Sequence, residues 1–317
     1  MKKNDLFLLS LILLILPGCL DAGETAYEQQ IRKDDAAIQA YLAENNIEAR
    51  KQSSGVYIEV LQENEQGKQV MNDHVAGILY EMNHMSGEYE IEAHTDTLNP
   101  VRFSNSYSNQ HNSLYPAGLN YEIGKMRLGE KFRFYIPSYL AFDGYSHEGL
   151  FDSFSNFMID VDLVELTTTE EIHEKEVSII KDYIEENDME AEDYPHGLYY
   201  IPVEEGSGET PGANSQVEFH YTRKYLDGTV IETTAGGEPA RVSLNNYQLV
   251  QGLDTGIRLM KEGGRATLIM PSKIAFGESI QVIPQKLREE WAEDGEIQPL
   301  AKPFSSVIYE IELLAIE

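Results

Sequence analysis

The sequence has one cysteine, little positive charge and no apolar run long enough to span a bilayer. Cys19 is the only cysteine among 317 residues, which excludes an intramolecular disulfide framework and any zinc site built on cysteine. Lys and Arg number 24 against 54 Asp and Glu, a formal charge of −30 that excludes general nucleic-acid binding, because phosphates would be repelled. The 42% of hydrophobic residues are sufficient for buried cores, and the length predicts about two domains.

The first residues have the pattern of a secretory signal. Lys2 and Lys3 precede an apolar stretch at 6–16, whose 11 residues are too few to cross a membrane. The following Leu-Pro-Gly-Cys resembles the lipobox of bacterial lipoproteins, in which the cysteine is acylated and becomes the mature N-terminus. We therefore predict a signal peptide over 1–18 and a lipid-anchored tether over 19–27, with Cys19 as the lipidated residue. An ordinary signal peptide that contains a cysteine is the alternative.

The chain contains an internal repeat at a constant offset of 134 positions. Residues 118–142 match residues 252–276 at Gly, Leu, Met, Gly, Pro, Ser, Ala and Phe. Self-similarity of this kind indicates that one structural unit is used twice. We predict two modules, over residues 28–167 and 168–317.

Each module begins with an acidic, amphipathic helix and continues as short strands. Thr168 precedes Glu171 by three residues, the spacing of a helix-capping box, and the first helix is predicted over 28–45. Alternating apolar residues then predict strands, interrupted in the second module by a short helix over 247–260. The expected fold class is α+β, with each module an antiparallel β half-barrel wrapped on a short helix and preceded by an amphipathic helix.

The second module resembles the FKBP-type peptidyl-prolyl cis-trans isomerase family in several ordered motifs. The opening strand reads VEFHYT at 217–222, and the pocket helix reads LVQGLDTG at 249–256. A turn follows as MPSKIAFG at 270–277, and the closing strand reads IYEIELL at 308–314. The first module has fewer of these residues and is expected to be a degenerate FKBP-like domain.

The resemblance implies isomerisation of X-Pro peptide bonds, which needs neither a metal nor a cofactor. The bond must twist against a barrier of about 18–20 kcal/mol, and a dry apolar pocket favours the twisted amide. The expected substrates are proline-containing exported polypeptides, and the expected location is the cell envelope, at the outer membrane of a Gram-negative bacterium. Contact with the membrane is expected through lipidated Cys19 only. The alternative is a non-catalytic peptide- or protein-binding scaffold of a cell-envelope assembly.

The resemblance also assigns the pocket of the second module. The catalytic set is Tyr221, Glu232, Leu249, Val250, Leu253, Phe276 and Tyr309, with Ile231, Ala240 and Trp291 as substrate-binding residues. Leu249, Val250 and Leu253 correspond to the pocket floor and its backbone donor. Phe276 replaces the tyrosine whose hydroxyl binds the ligand carbonyl in the family, so one hydrogen-bond donor is lost.

The first module departs further from the family pattern. Tyr80, Leu119 and Phe142 remain, but Glu90 and Ile91 are expected at the positions of Ile231 and Glu232. The pocket carboxylate is therefore expected to be lost or moved. This module is interpreted as a structural or peptide-binding copy.

The second module has a longer last loop than the first. Pro271 and Leu313 are 42 positions apart, whereas the matching Pro137 and Leu163 are 26 positions apart. In the family this loop overhangs the pocket. The sequence predicts a helix in it, and Trp291 either covers the pocket of the second module or fixes the loop to that module.

Overall fold

The computed structural model describes residues 24–86, 90–105, 113–298 and 300–317. The chain is α+β, with antiparallel sheets and few helices, as the sequence predicts. The signal peptide and Cys19 lie outside the described residues. Within those residues, no helix combines the length and apolarity needed to cross a membrane.

The first sheet has seven strands and two α-helices associated with it. Its elements, with a short strand β6 that lies outside the sheet, are α1 (Ala26–Glu44), β1 (Arg50–Lys51), β2 (Tyr57–Gln62), β3 (His74–His84), β4 (Glu90–His94), β5 (Val101–Ser104), β6 (Leu114–Tyr115), α2 (Ala117–Glu122), β7 (Lys131–Ile136) and β8 (Phe157–Thr168). The strand order is β1-β2-β7-β8-β3-β4, and β5 pairs with β3.

The second sheet also has seven strands. Its elements, with β15 outside the sheet, are α3 (Thr169–Glu186), β9 (Glu192–Tyr194), β10 (Leu198–Glu204), β11 (Gln216–Tyr225), β12 (Val230–Thr233), β13 (Ala240–Ser243), α4 (Gln251–Ile257), β14 (Arg265–Met270), β15 (Gln281–Val282), α5 (Gln285–Glu293) and β16 (Val307–Ile316). The strand order is β12-β11-β16-β14-β10-β9, and β13 pairs with β11. Read from the opposite edge, the order is β9-β10-β14-β16-β11-β12, and each strand then has the position of its counterpart in the first sheet.

The registers of the two sheets agree residue by residue. Tyr80 lies opposite Val161, which also faces Phe132 on the other side. Tyr221 lies opposite Ile311 in the same way, and Ile311 also faces Ala266. The sequence repeat is therefore confirmed as a repeat of strand order and register.

The pocket helix of each module packs closely on its sheet because a glycine replaces a side chain at the contact. A Cβ on Gly118 would meet Ile136 Cγ2 at 2.7 Å, and one on Gly252 would meet Met270 Sδ at 2.5 Å. The helix predicted over 247–260 is shorter in the structure, where α4 covers Gln251–Ile257. Val250 precedes it with extended backbone, φ −64° and ψ 150°, which prevents an earlier start.

Each leading helix begins with a capping box that satisfies free N–H groups; α3 begins as predicted, and α1 begins two residues before the predicted position 28. Thr25 and Glu28 form it in α1, and Thr168 and Glu171 form it in α3. Ile38 of α1 packs within its own module, as Ile180 of α3 does. Ile172 of α3 also lies in a small apolar cluster with Val75 of the first module and Phe304 of the second. Helix α3 therefore contacts both modules.

The last loop of the second module reaches the first module. β15 pairs in parallel with β6, so that Gln281 faces Leu114 and Val282 faces Tyr115. Leu287 of α5 is fully buried in the apolar core of the first module. The core of the first module is thus completed by residues of the second.

Candidate functional site

The structure brings the predicted pocket residues of the second module together around α4. Leu253 and Tyr309 are buried at its base. Six predicted residues with partial exposure pack against the same core: Tyr221, Ile231, Ala240, Leu249, Val250 and Phe276. The pocket is therefore apolar at its base and accessible at its rim.

Tyr221 and Glu232 form a phenol–carboxylate pair at this pocket. Burial raises the pKa of Tyr221, and the hydrogen bond to the Glu232 carboxylate raises it further. The phenol therefore keeps its proton at neutral pH. The ring of Tyr221 lies 5.7 Å from that of Tyr309, centroid to centroid, at 45°. Burial likewise raises the pKa of Tyr309.

Arg223 is a pocket residue that the sequence analysis missed. Its side chain is buried, its Nη2 lies 2.9 Å from Glu232 Oε2, and its Nη1 donates to the Tyr309 hydroxyl at 3.2 Å. Its guanidinium carbon lies 4.4 Å from the centroid of the Phe276 ring, a cation–π contact. The period of two along β11 was the available signal, because it puts Arg223 on the face of Phe219 and Tyr221.

The Nε–H group of Arg223 is an unused donor of its guanidinium. Among the described residues, its buried Nε has no hydrogen-bond partner. A buried N–H without an acceptor is costly. The pocket therefore holds polar groups on an otherwise apolar surface.

Trp291 lies against the first module, away from both of its expected positions. Its ring centroid is 5.6 Å from Tyr145, 6.0 Å from Phe142 and 6.3 Å from Tyr115, all of the first module. Its Nε1 donates to the Tyr145 hydroxyl at 3.3 Å. It neither covers the pocket of its own module nor fixes the loop there, because α5 extends into the other module.

The first module retains the pocket carboxylate as Glu92. In the first hairpin Glu92 lies opposite Met82, and in the second Glu232 lies opposite the matching Arg223. The residue before each glutamate, Ile91 or Ile231, is the extra residue of a β-bulge. The expectation that Glu90 and Ile91 take the two positions is therefore wrong by one residue. Tyr80 donates to Glu92 in the same way that Tyr221 bonds to Glu232. The phenol–carboxylate pair is thus present in both modules.

The residue before the pocket helix differs between the modules. Pro116 precedes α2 with φ −69° and ψ 149°, and Val250 precedes α4 with φ −64° and ψ 150°. The φ and ψ angles are closely similar, but the Tyr115–Pro116 peptide bond is cis, and proline has no N–H. Only the second module can therefore donate a backbone hydrogen bond from this position.

A buried carboxylate supports the turn that carries the pocket phenylalanine in each module. Asp34 of α1 accepts from Ser138 Oγ at 2.7 Å. Glu176 of α3 accepts from Ser272 N at 3.1 Å and from Ser272 Oγ at 2.7 Å. Burial raises the pKa of Glu176, against these hydrogen bonds, which lower it. The leading helices therefore help to position Phe142 and Phe276.

The described residues include no cluster of three or more His, Cys, Asp or Glu side chains that could hold a metal ion. The pocket chemistry is instead that of apolar surface, two phenols, one carboxylate and one guanidinium.

Comparison with known proteins finds a family model that matches part of the second module. Residues 207–314 match the family model of the FKBP-type peptidyl-prolyl cis-trans isomerase. The chain is 31% identical over 137 residues to the FKBP-type 22 kDa peptidyl-prolyl cis-trans isomerase of Escherichia coli, covering 42% of this chain and 58% of the relative. It is 32% identical over 84 residues to the outer membrane protein MIP of Legionella longbeachae, covering 26% of this chain and 35% of that relative.

The similarity to these relatives is partial, because the chain spans 58% and 35% of their lengths, less than two thirds of either. Among solved structures, the three FKBP domains of wheat FKBP73 match 85% of this chain and 99% of theirs, at 20% identity and a TM-score of 0.33. The second module is therefore the part of the chain that matches the FKBP type of peptidyl-prolyl cis-trans isomerase.

Proposed function

We propose that the second module catalyses cis-trans isomerisation of X-Pro bonds in polypeptides outside the cytoplasm. The observation that carries this proposal is the rim-accessible apolar pocket over α4, with the Tyr221–Glu232 pair beside it, in the part of the chain that matches the family. Phe276, Leu253 and Tyr309 supply the apolar surface.

In the proposed mechanism the pocket binds the twisted amide better than the planar one. The planar amide separates charge and is stabilised by water, so an apolar surface over Leu253 and Phe276 favours the transition state. The backbone N–H of Val250 donates to a substrate carbonyl, and the Tyr221 hydroxyl donates to one when it turns from Glu232 to the substrate.

The isomerase proposal is tested by an assay of a proline-containing peptide with the full chain. The uncatalysed step takes tens to hundreds of seconds, so acceleration is easily measured. We expect wild type to accelerate the reaction and Phe276→Asp to abolish the acceleration by placing a charge in the pocket. Phe154→Asp is the matched control, because Phe154 is 48% exposed in the first module. Wild type that leaves the rate unchanged would refute the proposal.

A binding role without catalysis is the second candidate. The observation that favours it is Arg223, whose buried guanidinium takes up space between Phe276 and Glu232. If this candidate is correct, a proline peptide binds wild type and fails to bind Phe276→Asp, while neither protein changes the isomerisation rate.

We further propose that the chain is anchored in the cell envelope through a lipid on Cys19. The apolar stretch that ends in Leu-Pro-Gly-Cys supports this, as does a relative that is named an outer membrane protein. Wild type expressed in a bacterial host should fractionate with membranes and incorporate a labelled fatty acid. Cys19→Ala should lose the label, and equal labelling of both proteins would contradict the proposal.

A further inference from the structure

The pocket of the first module is occupied by residues 281–291 of the second module, here called the inserted segment. Val282, Ile283 and Leu287 have no exposed surface, and all three belong to the apolar core of the first module. The same core contains Tyr80 and Leu119, the counterparts of Tyr221 and Leu253 in the other pocket. The inserted segment thus lies where the second module has its accessible pocket.

The inserted segment pairs with the first module through its backbone. The N–H of Gln281 donates to Ser113 O at 2.9 Å, and the N–H of Ile283 donates to Tyr115 O at 3.0 Å. Tyr115 directly precedes Pro116, the residue before the pocket helix. This is the way in which an extended peptide adds to a strand at the edge of a binding site.

Glu92 binds the segment where the chain changes from strand to helix. It accepts the N–H of Gln285 at 2.7 Å and that of Lys286 at 3.3 Å, the first two residues of α5. A carboxylate at a helix N-terminus is favourable because it satisfies free N–H groups and faces the positive end of the helix dipole. Tyr80 donates to the same carboxylate. The phenol–carboxylate pair of the first module is therefore used to hold a peptide.

The far end of the segment is fixed by polar and aromatic contacts. Trp291 packs on Phe142 and Tyr145, and Glu290 pairs with His147. Every one of these partners belongs to the first module. The segment is therefore held along its whole length, from β6 to the loop that follows Phe142.

The second module presents the segment in a fixed shape. Arg288 is 1% exposed, and its guanidinium donates to the carbonyls of Ile280 at 3.1 Å, Leu300 at 3.1 Å and Ala301 at 2.7 Å. These bonds tie the two ends of the loop together. Little conformational freedom then remains to be lost when the segment binds.

We propose that the first module is a peptide-binding domain whose site is closed by the inserted segment as an internal ligand. An external peptide of the same pattern, an apolar residue before proline followed by the start of an amphipathic helix, binds this site when the segment leaves. In wild type the segment leaves only a small fraction of the sites open. The apparent affinity for an external peptide is therefore lower than the affinity of an open site by that fraction. This inference concerns the first module and does not depend on catalysis by the second.

The test measures binding of a labelled peptide that copies residues 279–292 to the full chain, by fluorescence anisotropy. Ile283→Asp places a charge in the buried part of the segment and should release it. Val203→Asp introduces the same charge at an apolar residue of the second module that is 57% exposed and lies outside the segment, and it is the matched control. We expect at least tenfold tighter binding by Ile283→Asp than by wild type or the control. The second pocket is unaltered in all three proteins, so binding there is equal in each.

Trp291 reports the position of the segment, because it is the only tryptophan of the chain. Release in Ile283→Asp should shift its emission to the red and increase quenching by acrylamide, while circular dichroism shows both modules folded. If Ile283→Asp does not fold, Trp291→Ala replaces it, with a several-fold gain in peptide affinity expected. Peptide binding by wild type as tight as by the folded variant would overturn the proposal. No gain in affinity in any folded variant would also overturn it.

Discussion

The two modules have the same strand order and the same phenol–carboxylate pair, but their pockets differ in what occupies them. In the first module, Glu92 binds the N–H groups of Gln285 and Lys286, and apolar residues of the inserted segment fill the core beside it. In the second module, Glu232 faces Arg223, and the pocket rim is partly exposed.

This difference shows that a retained pocket is not by itself a free site. Tyr80 and Glu92 have the residue types of the polar pair in the second pocket. Their hydrogen bonds, however, are made to each other and to the inserted segment. Pro116 removes the backbone donor that Val250 keeps. The candidate catalytic site thus differs from the closed site in two ways: its rim is exposed to solvent, and Val250 supplies a backbone N–H group.

The largest expected effect comes from truncating the segment that fills the first pocket. Leu287→Ala should lower the free energy of unfolding by about 2–5 kcal/mol, because it leaves a cavity in a fully buried site. Urea unfolding followed by Trp291 fluorescence measures this. Leu249→Ala, at the half-exposed rim of the second pocket, is the control and should cost less. Equal costs for the two variants would remove the distinction between a filled pocket and an open one.

The second test gives the second module the proline of the first. Val250→Pro should lower kcat/KM for the proline peptide roughly 100-fold, because one backbone donor to the transition state is lost. The backbone at Val250 already has the φ of proline, −64°, so the fold should be retained. Pro116→Val in the first module should leave the rate unchanged. Full activity in Val250→Pro would exclude this N–H from the mechanism.

The third test removes the same hydroxyl from each module. Tyr221→Phe should lower kcat/KM about tenfold, which corresponds to the loss of one hydrogen bond of about 1.4 kcal/mol. Tyr80→Phe should leave the rate unchanged and lower the free energy of unfolding by about 1–3 kcal/mol, because Glu92 loses a donor in a buried site. Parallel rate assays and urea titrations separate the effects. A rate loss in Tyr80→Phe would show that the first pocket takes part in catalysis.

The smallest expected effect concerns the carboxylate under the turn of the second module. Because burial raises the pKa of Glu176 above 4.5, its contribution to stability is complete below that pH and is lost as pH rises through the folded value. Glu176→Gln should therefore lose less stability than wild type between about pH 4.5 and neutral pH, measured as melting temperature against pH.

Glu170 on the same helix is the control, because its contribution to stability changes with pH in the opposite direction. Its hydrogen bond with Lys273 lowers the pKa of Glu170, so its contribution is present above the ordinary pKa and lost as pH falls. Glu170→Gln should lose stability only at the higher pH values, and slightly, because the group is exposed. Parallel pH profiles of Glu176→Gln and wild type would contradict the first expectation.

Local patterns in the sequence were sufficient for much of the fold. The capping residues Thr168 and Glu171 predicted the start of α3, and the residue pattern over 247–260 predicted the pocket helix of the second module. Each of these signals depends on residues close together in the chain. The pocket residues around Leu253 were instead predicted from the resemblance to the FKBP family.

The position of the first carboxylate could not be predicted from the offset of the repeat. Tyr80 and Glu92 are 12 positions apart, whereas Tyr221 and Glu232 are 11 apart. One additional residue in the first hairpin shifts the alignment, and only the strand register reveals it. The placement of Trp291 was missed for a related reason, because a contact between two modules leaves no periodic signal in either.

The burial of Leu287 in the first module also sets when that module can finish folding. A chain that leaves a ribosome or an export channel exposes its N-terminal part first. The strands of the first sheet end at Thr168, but the core they enclose stays incomplete until residue 287 has emerged. The first half of the protein must therefore wait, with an apolar opening exposed, for more than a hundred further residues of its own chain.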